Sequence, residues 1–510
     1  MSIEIISRTL HFADRIAAID TSGQHTYSEI LNLANSTANK LLGNKEDLNE
    51  ERILFMVAPG HKYISTQWGI WIAGGIAVPI ALSHPTEEIN HIIQDTSSKK
   101  IILDPEYSDT LENLNNKNDI EFITTNEINT SFSNSKYPEI DESRRAMIIY
   151  TSGTTNKPKG VVTTHLNIKS QITALVKSWE WVDSDHILNV LPLHHVHGIV
   201  NAMLCALWSG AICEFLPSFD AKTTWSKLSN NKISLFMAVP TMYEKLISFW
   251  NDLPAEKQKL IKKQSSNLRL MVSGSDALLP NTLNQWKTIT GHVLLERYGM
   301  TEIGMALSNP LKGKRIPGFV GTPLPGVQTR VCSIDFDTNE NPVSLDVEVL
   351  PGHEGELQIK GENVFLEYWN NIEVTTSSFS KDGWFRTGDI ASTENSVYKI
   401  WGRASQDIIK TGGEKVSANE IQYVLRTHPE IKECAVVGIK DEKWGEAVSA
   451  AIVLSKGSNL DIIKLRKWGK NKLVNYKVPQ KILIVESLPR NSMGKIIKPK
   501  IKEMFSEKIN

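Results

Sequence analysis

Cysteine is scarce: the 510 residues hold four, Cys205, Cys213, Cys332 and Cys434, and no two of them form a CxxC pair. That excludes a cysteine zinc site and a disulfide framework, and the apolar neighbours point to buried, reduced thiols of an intracellular protein. Net charge is lacking too. With 56 Lys and Arg against 57 Asp and Glu the balance is −1, so no global field recruits nucleic acid or an anionic membrane. No long apolar run survives inspection either. Residues 63–83 carry no charge, and a membrane span needs about 20 apolar residues, but Ser65, Thr66, Gln67, Gly74, Gly75 and Pro79 interrupt this stretch. It reads as a buried helix ending at the glycines, followed by a central strand over 76–80, in a soluble protein. The opening residues MSIEIISRTLHFAD carry acids and no apolar core, so no secretory signal is expected. The expected compartment is the cytosol, with the mitochondrial matrix as the alternative. A Walker loop GxxxxGK[ST] is also missing.

What is present is an alternation of helical patterns with short apolar strands, at 52–57, 76–80 and 100–103, which argues for a parallel sheet covered by helices. Polar residues 107–145 read as surface excursions. A strand at 146–149 then breaks into YTSGTTNKPKG (150–160). Hydroxyls and free backbone N–H groups donate to phosphate oxygens, glycine allows close approach, and lysine supplies charge, so this loop can close over a triphosphate.

Residues 188–198, LNVLPLHHVHG, bring His194, His195 and His197 to a strand end. No acid or cysteine stands at ligand spacing, so a pocket-lining role is expected rather than a metal site. Strands at 235–239 and 268–272 lead into Pro240-Thr241 and Ser273-Gly274-Ser275. Polar turns on successive strand ends imply one crevice at the carboxyl edge of a sheet. The next stretch, HVLLERYGMTE (292–302), places Val293, Leu295 and Arg297 on one face of a strand. An arginine continuing an apolar face must find an anion, because an unpaired buried charge is very costly. An internal carboxylate, Glu296 or Glu302, is one candidate. Tyr298, Thr301 and Glu302 suit a base, a phosphate and a Mg²⁺ ion; a strand followed by an ordinary helix start is the plainer alternative.

Residues 318–330 and 354–360 have the turns and alternation of a smaller β region, and 335–352 reads as an acidic, solvated connection. GWFRTGD (383–389) ends in Asp389, a carboxylate able to take both hydroxyls of a ribose. WGRASQDIIKTGG (401–413) is expected to be the linker to a small C-terminal domain with a helix at 420–426 and strands at 434–439 and 450–453. From Lys464 onward 13 Lys or Arg face 3 Glu, a basic segment suited to a solvated face or a phosphorylated partner. Lys495 follows the flexible Ser-Met-Gly.

Together IAGGIAVPI, YTSGTTNKPKG, LPLHHVHG, YGMTE, GWFRTGD, GRASQDIIKTGG and NSMGK resemble, in order and over essentially the whole chain, the adenylate-forming superfamily of acyl-CoA synthetases, nonribosomal adenylation domains and luciferases. The resemblance implies an α/β fold: a large N-terminal domain of several sheets, βα layers plus a small β region (1–402), a hinge (403–406) and a small, mobile α+β C-terminal domain (407–510). It implies ATP, Mg²⁺ and CoA, with a carboxylate attacking the α-phosphate and a thiol then displacing AMP. By family position Thr151, Ser152, Gly153, Thr154, Thr155 and Lys159 hold the outer phosphates and Thr301 the α-phosphate. Glu302 binds Mg²⁺, Tyr298 stacks on adenine, Ser275 lies beside the nucleotide, and Asp389 with Arg403 holds the ribose. Lys495 bridges the attacking carboxylate and the α-phosphate, and Gly412 and Gly413 line the CoA tunnel. Ser405 departs from the Asp or Lys common at the hinge.

Within the superfamily, LPLHHVHGIVNAMLCALWSGA and TGHVLLERYGMTEIGMALSNPL are most similar to malonyl-CoA and methylmalonyl-CoA synthetases. On that likeness a short dicarboxylic acid is the small-molecule substrate, its second carboxylate meeting Arg297, with His195, His197 and, more remotely, Lys245 assisting. A synthetase for another short or medium acid, an adenylation protein that loads a carrier's phosphopantetheine arm, and a silent nucleotide-binding regulator are the competing readings.

Overall fold

The computed structural model describes residues 3–108, 120–128, 136–151, 158–336, 342–490 and 496–509. Two sheets of mostly parallel strands form the bulk. A seven-stranded sheet runs Glu367–Tyr368, Lys159–Thr164, Arg145–Thr151, Ile76–Pro79, Arg52–Met56, Lys100–Leu103, Glu121–Thr124. A nine-stranded sheet places Leu295–Met300, Leu270–Ser273, Leu235–Ala238 and His186–Asn189 side by side and parallel, then continues through Ile212–Phe215 and Ile16–Asp20.

The uncharged stretch owes its composition to burial. Helix His61–Ile72 is buried from Tyr63 to Ile72 and places Trp68 and Trp71 in the core, where the Trp71 indole donates to the Ala146 carbonyl at 2.7 Å. Gly74 makes the turn with φ +80, and strand Ile76–Pro79 is fully buried between two parallel neighbours, as near-continuous apolar strands of parallel sheets are. Among the described residues no helix is long and apolar enough to cross a membrane. The helix start is tied to the first hairpin by Asp20, whose Oδ2 accepts the His61 N–H at 2.9 Å and contacts His61 Nδ1 at 2.6 Å.

Three stretches fold otherwise than the sequence suggests. The excursion at 107–145 contains strand Glu121–Thr124, which pairs parallel to Lys100–Leu103 at the sheet edge; an edge strand needs little apolar character. The acidic segment 335–352 is largely a hairpin, with Gln328–Phe336 paired to Pro342–Glu348. Its charges are used: Asp346 pairs with Arg386 and accepts from Gln358 at 2.7 Å. This hairpin edges a five-stranded antiparallel sheet completed by Gly355–Lys360, Phe385–Glu394 and Val397–Arg403. The supposed linker 401–413 is mostly strand, Val397–Arg403 on one side and Ile408–Thr411 on the other, leaving only 404–407 between them.

Beyond it, Ile408–Thr411, Glu414–Ser417, Ile431–Asp441, Gly445–Leu454 and Lys481–Ile484 form a fourth sheet. Two apolar clusters drawn only from residues 409–505 cover its faces, with helices Ala418–Leu425 and Lys498–Ile509 packed against it.

Candidate active site

Parallel strands present their carboxyl ends on one edge, which is where ligands sit in such sheets. Four adjacent strands of the nine-stranded sheet bring their carboxyl ends there: His186–Asn189 ahead of the histidines, Leu235–Ala238 before helix Pro240–Asn251, Leu270–Ser273 before Gly274-Ser275, and Leu295–Met300 carrying Arg297. Leu295–Met300 does not lead into a helix. It turns through Thr301 and Glu302 into the antiparallel strand Gly304–Ser308.

Arg297 is 4 % exposed. Its Nη2 donates to Ser275 Oγ at 3.3 Å, and its buried Nε has no partner among the described residues. Burial pulls its pKa down to about 9, so the guanidinium is charged at neutral pH, and no carboxylate among the described residues pairs with it. Neither candidate carboxylate supplies the match. Glu296 follows the strand alternation to the other face, accepts the Gly318 N–H at 3.2 Å, and is raised by burial to about 8, hence protonated at neutral pH. Glu302, also pushed upward by burial, accepts the Tyr368 hydroxyl at 2.8 Å.

His197 opens a π-helical segment, His197–Leu204, an irregularity found often at functional sites. Its Nδ1 lies 3.4 Å from the same Ser275 Oγ. His195 packs on His194 with ring centroids 4.0 Å apart. The Nε2 atoms of both His195 and His197 are buried without partners among the described residues. Burial, then the neighbouring His84, lowers His195 to about 4; burial and then Arg297 hold His197 well below the ordinary value. Both are neutral at pH 7 and offer hydrogen bonds, not charge. Lys245 is exposed, its ammonium 6.0 Å from the Phe219 ring.

On the other side of Arg297, the Tyr298 hydroxyl donates to Asp389 Oδ2 at 2.5 Å, and Arg403 Nε meets Asp389 Oδ1 at 3.1 Å. Asp389 and Arg403 are cross-strand partners in the five-stranded sheet. Thr151 faces Lys159 across the hairpin that carries the hydroxyl-rich loop, and Lys159 Nζ stands 5.5 Å from the Tyr368 ring, next to Glu302. These contacts bring Lys159, Tyr298, Glu302, Asp389 and Arg403 together where three sheets meet, with Thr151 opposite Lys159 and Thr301 next to Glu302 in the chain. Ser152, Gly153, Thr154, Thr155 and Lys495 lie outside the described residues. Gly412 and Gly413 form a two-residue hairpin turn with φ +59 and +84, which turn chemistry alone requires. A β-carbon at Gly412 would stand 3.0 Å from the Trp444 ring, whereas Gly413 faces open space.

In the 404–407 turn Ser405 is exposed, while Asp407 accepts the Arg403 N–H at 2.7 Å and pairs with Lys498. Tyr368, which orients Glu302, was not legible in the sequence: it lies 66 positions away and carries no motif.

Residues 7–369 match the AMP-binding enzyme family, and 420–495 match the AMP-binding enzyme C-terminal domain. The chain belongs to the AMP-binding enzymes. One relative of this AMP-binding enzyme, the mitochondrial malonate–CoA ligase ACSF3 of Mus musculus, is 44% identical over 526 residues, covering 98% of this chain and 90% of its own. The crystal structure of ATP-bound MatB from Rhodopseudomonas palustris superposes with a TM-score of 0.89 at 30% identity, covering 100% of both chains. A malonyl-CoA ligase product complex with methylmalonyl-CoA and AMP gives 0.69 at 29% identity, over 96% of this chain and 100% of that one.

Proposed function

We propose that this AMP-binding enzyme joins malonate, and methylmalonate as a close analogue, to CoA using ATP, and releases AMP and pyrophosphate. The observation that carries the reading is the buried, charged Arg297 guanidinium that meets no internal carboxylate among the described residues. A dicarboxylic acid supplies the missing anion with one end and leaves the other free to react. Monocarboxylates leave the guanidinium buried and alone, which a site of this kind rejects by about 10⁴-fold. Likeness to malonate–CoA ligases over nearly the whole chain supports the same substrate.

The free carboxylate oxygen attacks the α-phosphorus of ATP, the bond from that phosphorus to the bridging oxygen breaks, and pyrophosphate leaves. Positioning and charge neutralisation do most of this work. Asp389, oriented by Tyr298 and Arg403, takes the ribose hydroxyls, and Tyr298 presents its ring to the base. Thr151–Thr155 and Lys159 hold the outer phosphates, Thr301 the α-phosphate, and Lys495 bridges nucleophile and phosphorus. Glu302 fits a Mg²⁺ ligand, being a buried carboxylate steadied by one hydroxyl and joined in no ion pair among the described residues. Mg²⁺ bound there would neutralise phosphate charge. In the second step the CoA sulfur attacks the acyl carbon and AMP departs with the anhydride oxygen.

The chain divides at 1–402 and 407–510 about a hinge at 403–406. The higher superposition on an ATP-bound relative than on a product complex of similar identity supports an adenylation-stage arrangement, with Gly412 and Gly413 lining the CoA path after the swing. Relatives named as mitochondrial favour the matrix over the cytosol. A panel of acids assayed by pyrophosphate release with CoA present tests the assignment: malonate leads on this reading, and a preference for butyrate overturns it.

A further inference from the structure

The turn after strand Leu270–Ser273 has its glycine in an unexpected place. Ser275 carries φ +70, the left-handed conformation that ordinarily calls for glycine, whereas Gly274 beside it has no positive φ. Backbone geometry therefore does not explain Gly274. Space does. A β-carbon at Gly274 would stand 2.4 Å from Arg297 Cζ, 2.5 Å from Nε and 2.6 Å from Nη1. These atoms are the far end of the Arg297 side chain, which is 4 % exposed, so an added β-carbon would be met by a shift of the guanidinium itself. Meanwhile Ser275, strained where a glycine would be relaxed, keeps a hydroxyl that contacts Arg297 Nη2 at 3.3 Å and His197 Nδ1 at 3.4 Å. Residues held in such a conformation persist where the surroundings require it.

We propose that Gly274 and Ser275 are positioning residues for substrate choice. The bare Cα of Gly274 is the floor on which the Arg297 guanidinium lies, and the Ser275 hydroxyl fixes its edge, so that any side chain at 274 displaces the cation from the acyl site. The inference rests on Arg297 being the selector of diacids. It makes the glycine at 274 a condition for dicarboxylate use, acting through Arg297 and not by touching substrate.

The test measures ATP–pyrophosphate exchange with malonate and with butyrate, and reads the ratio of their kcat/KM values. Gly274→Ala lowers the malonate-to-butyrate ratio about a hundredfold, the effect of misplacing a positioning group by an ångström, with the change in KM for malonate. Ser275→Gly, which relaxes the backbone, lowers the ratio while the melting temperature holds or rises; a merely structural serine would move stability and leave the ratio alone. In an Arg297→Met background, adding Gly274→Ala changes the ratio no further. Equal loss on both acids in Gly274→Ala, or full additivity in the double variant, overturns the proposal. If Gly274→Ala fails to fold, the Ser275→Gly ratio and the double variant decide it. If Arg297→Met alone leaves the ratio unchanged, the reading of Arg297 fails first; if Arg297→Met moves it and the turn variants do not, only the positioning claim fails.

Discussion

The Tyr298 hydroxyl donates to Asp389 at 2.5 Å, so the ring expected over the base and the carboxylate expected at the ribose are held as one unit. Tyr298 comes from the nine-stranded sheet and Asp389 from the five-stranded one, and this bond joins the two. A hydrogen bond to a charged acceptor contributes about 1.5–3 kcal/mol. Tyr298→Phe keeps the ring and removes the bond. Its KM for ATP rises by about tenfold or more, measured by pyrophosphate release at saturating malonate.

Glu296 gives a pH signature. Its carboxyl is raised from an ordinary 4.5 to about 8 by burial, so its contribution is fully present below the unfolded value and is lost as pH rises through 8. Glu296→Gln keeps the acceptor for the Gly318 N–H and removes the titration. Thermal unfolding from pH 5 to 9 should show the wild type losing stability toward the alkaline end and the variant losing less.

Asp20 behaves in the opposite sense. It is held well below the usual carboxylate range: burial opposes ionisation, but the His61 and Ser22 donors overcome it. The stability it confers is present above the unfolded value of 3.8 and is lost as pH falls below it. Asp20→Asn costs about 1–2 kcal/mol at pH 7. Urea unfolding measures the gap, which narrows in acid.

The motifs expected at one ligand stood out because each chemistry needs particular residue types at particular spacing. The hydroxyl-rich loop, the TGD aspartate and the arginine on an apolar strand all announced themselves this way. The parallel strands ending on one crevice followed from apolar runs closed by polar turns. What stayed hidden were relations across the fold. Tyr368 reaches Glu302 from a distant two-residue strand, and nothing local marks it. The hairpin at Gln328–Phe336 and Pro342–Glu348 looked like a loop because an exposed edge hairpin keeps its charges. The short extent of the linker was masked by glycines that serve a tight turn rather than flexibility. The sequence did flag Ser273-Gly274-Ser275 as a turn, but only the clash distance ties its glycine to Arg297.

Arg426, on the C-terminal side of 403–406, meets Glu244 of helix Pro240–Asn251 at 3.1 Å. Both side chains are partly exposed, so the pair is worth at most about 1 kcal/mol. Arg426→Ala loosens the present arrangement: adenylate formation falls by up to about fivefold, and thioester formation from preformed malonyl-adenylate falls less. Single-turnover kinetics of the two half-reactions separates these.

The central claim is that a buried cation with no counterion among the described residues chooses acids with two negative ends. ATP–pyrophosphate exchange with malonate and butyrate, run side by side on the wild type and Arg297→Met, tests it most directly. The account predicts a wild-type preference for malonate of about 10⁴-fold that collapses in the variant as butyrate exchange rises. An unchanged ratio, with both acids falling together, would contradict it.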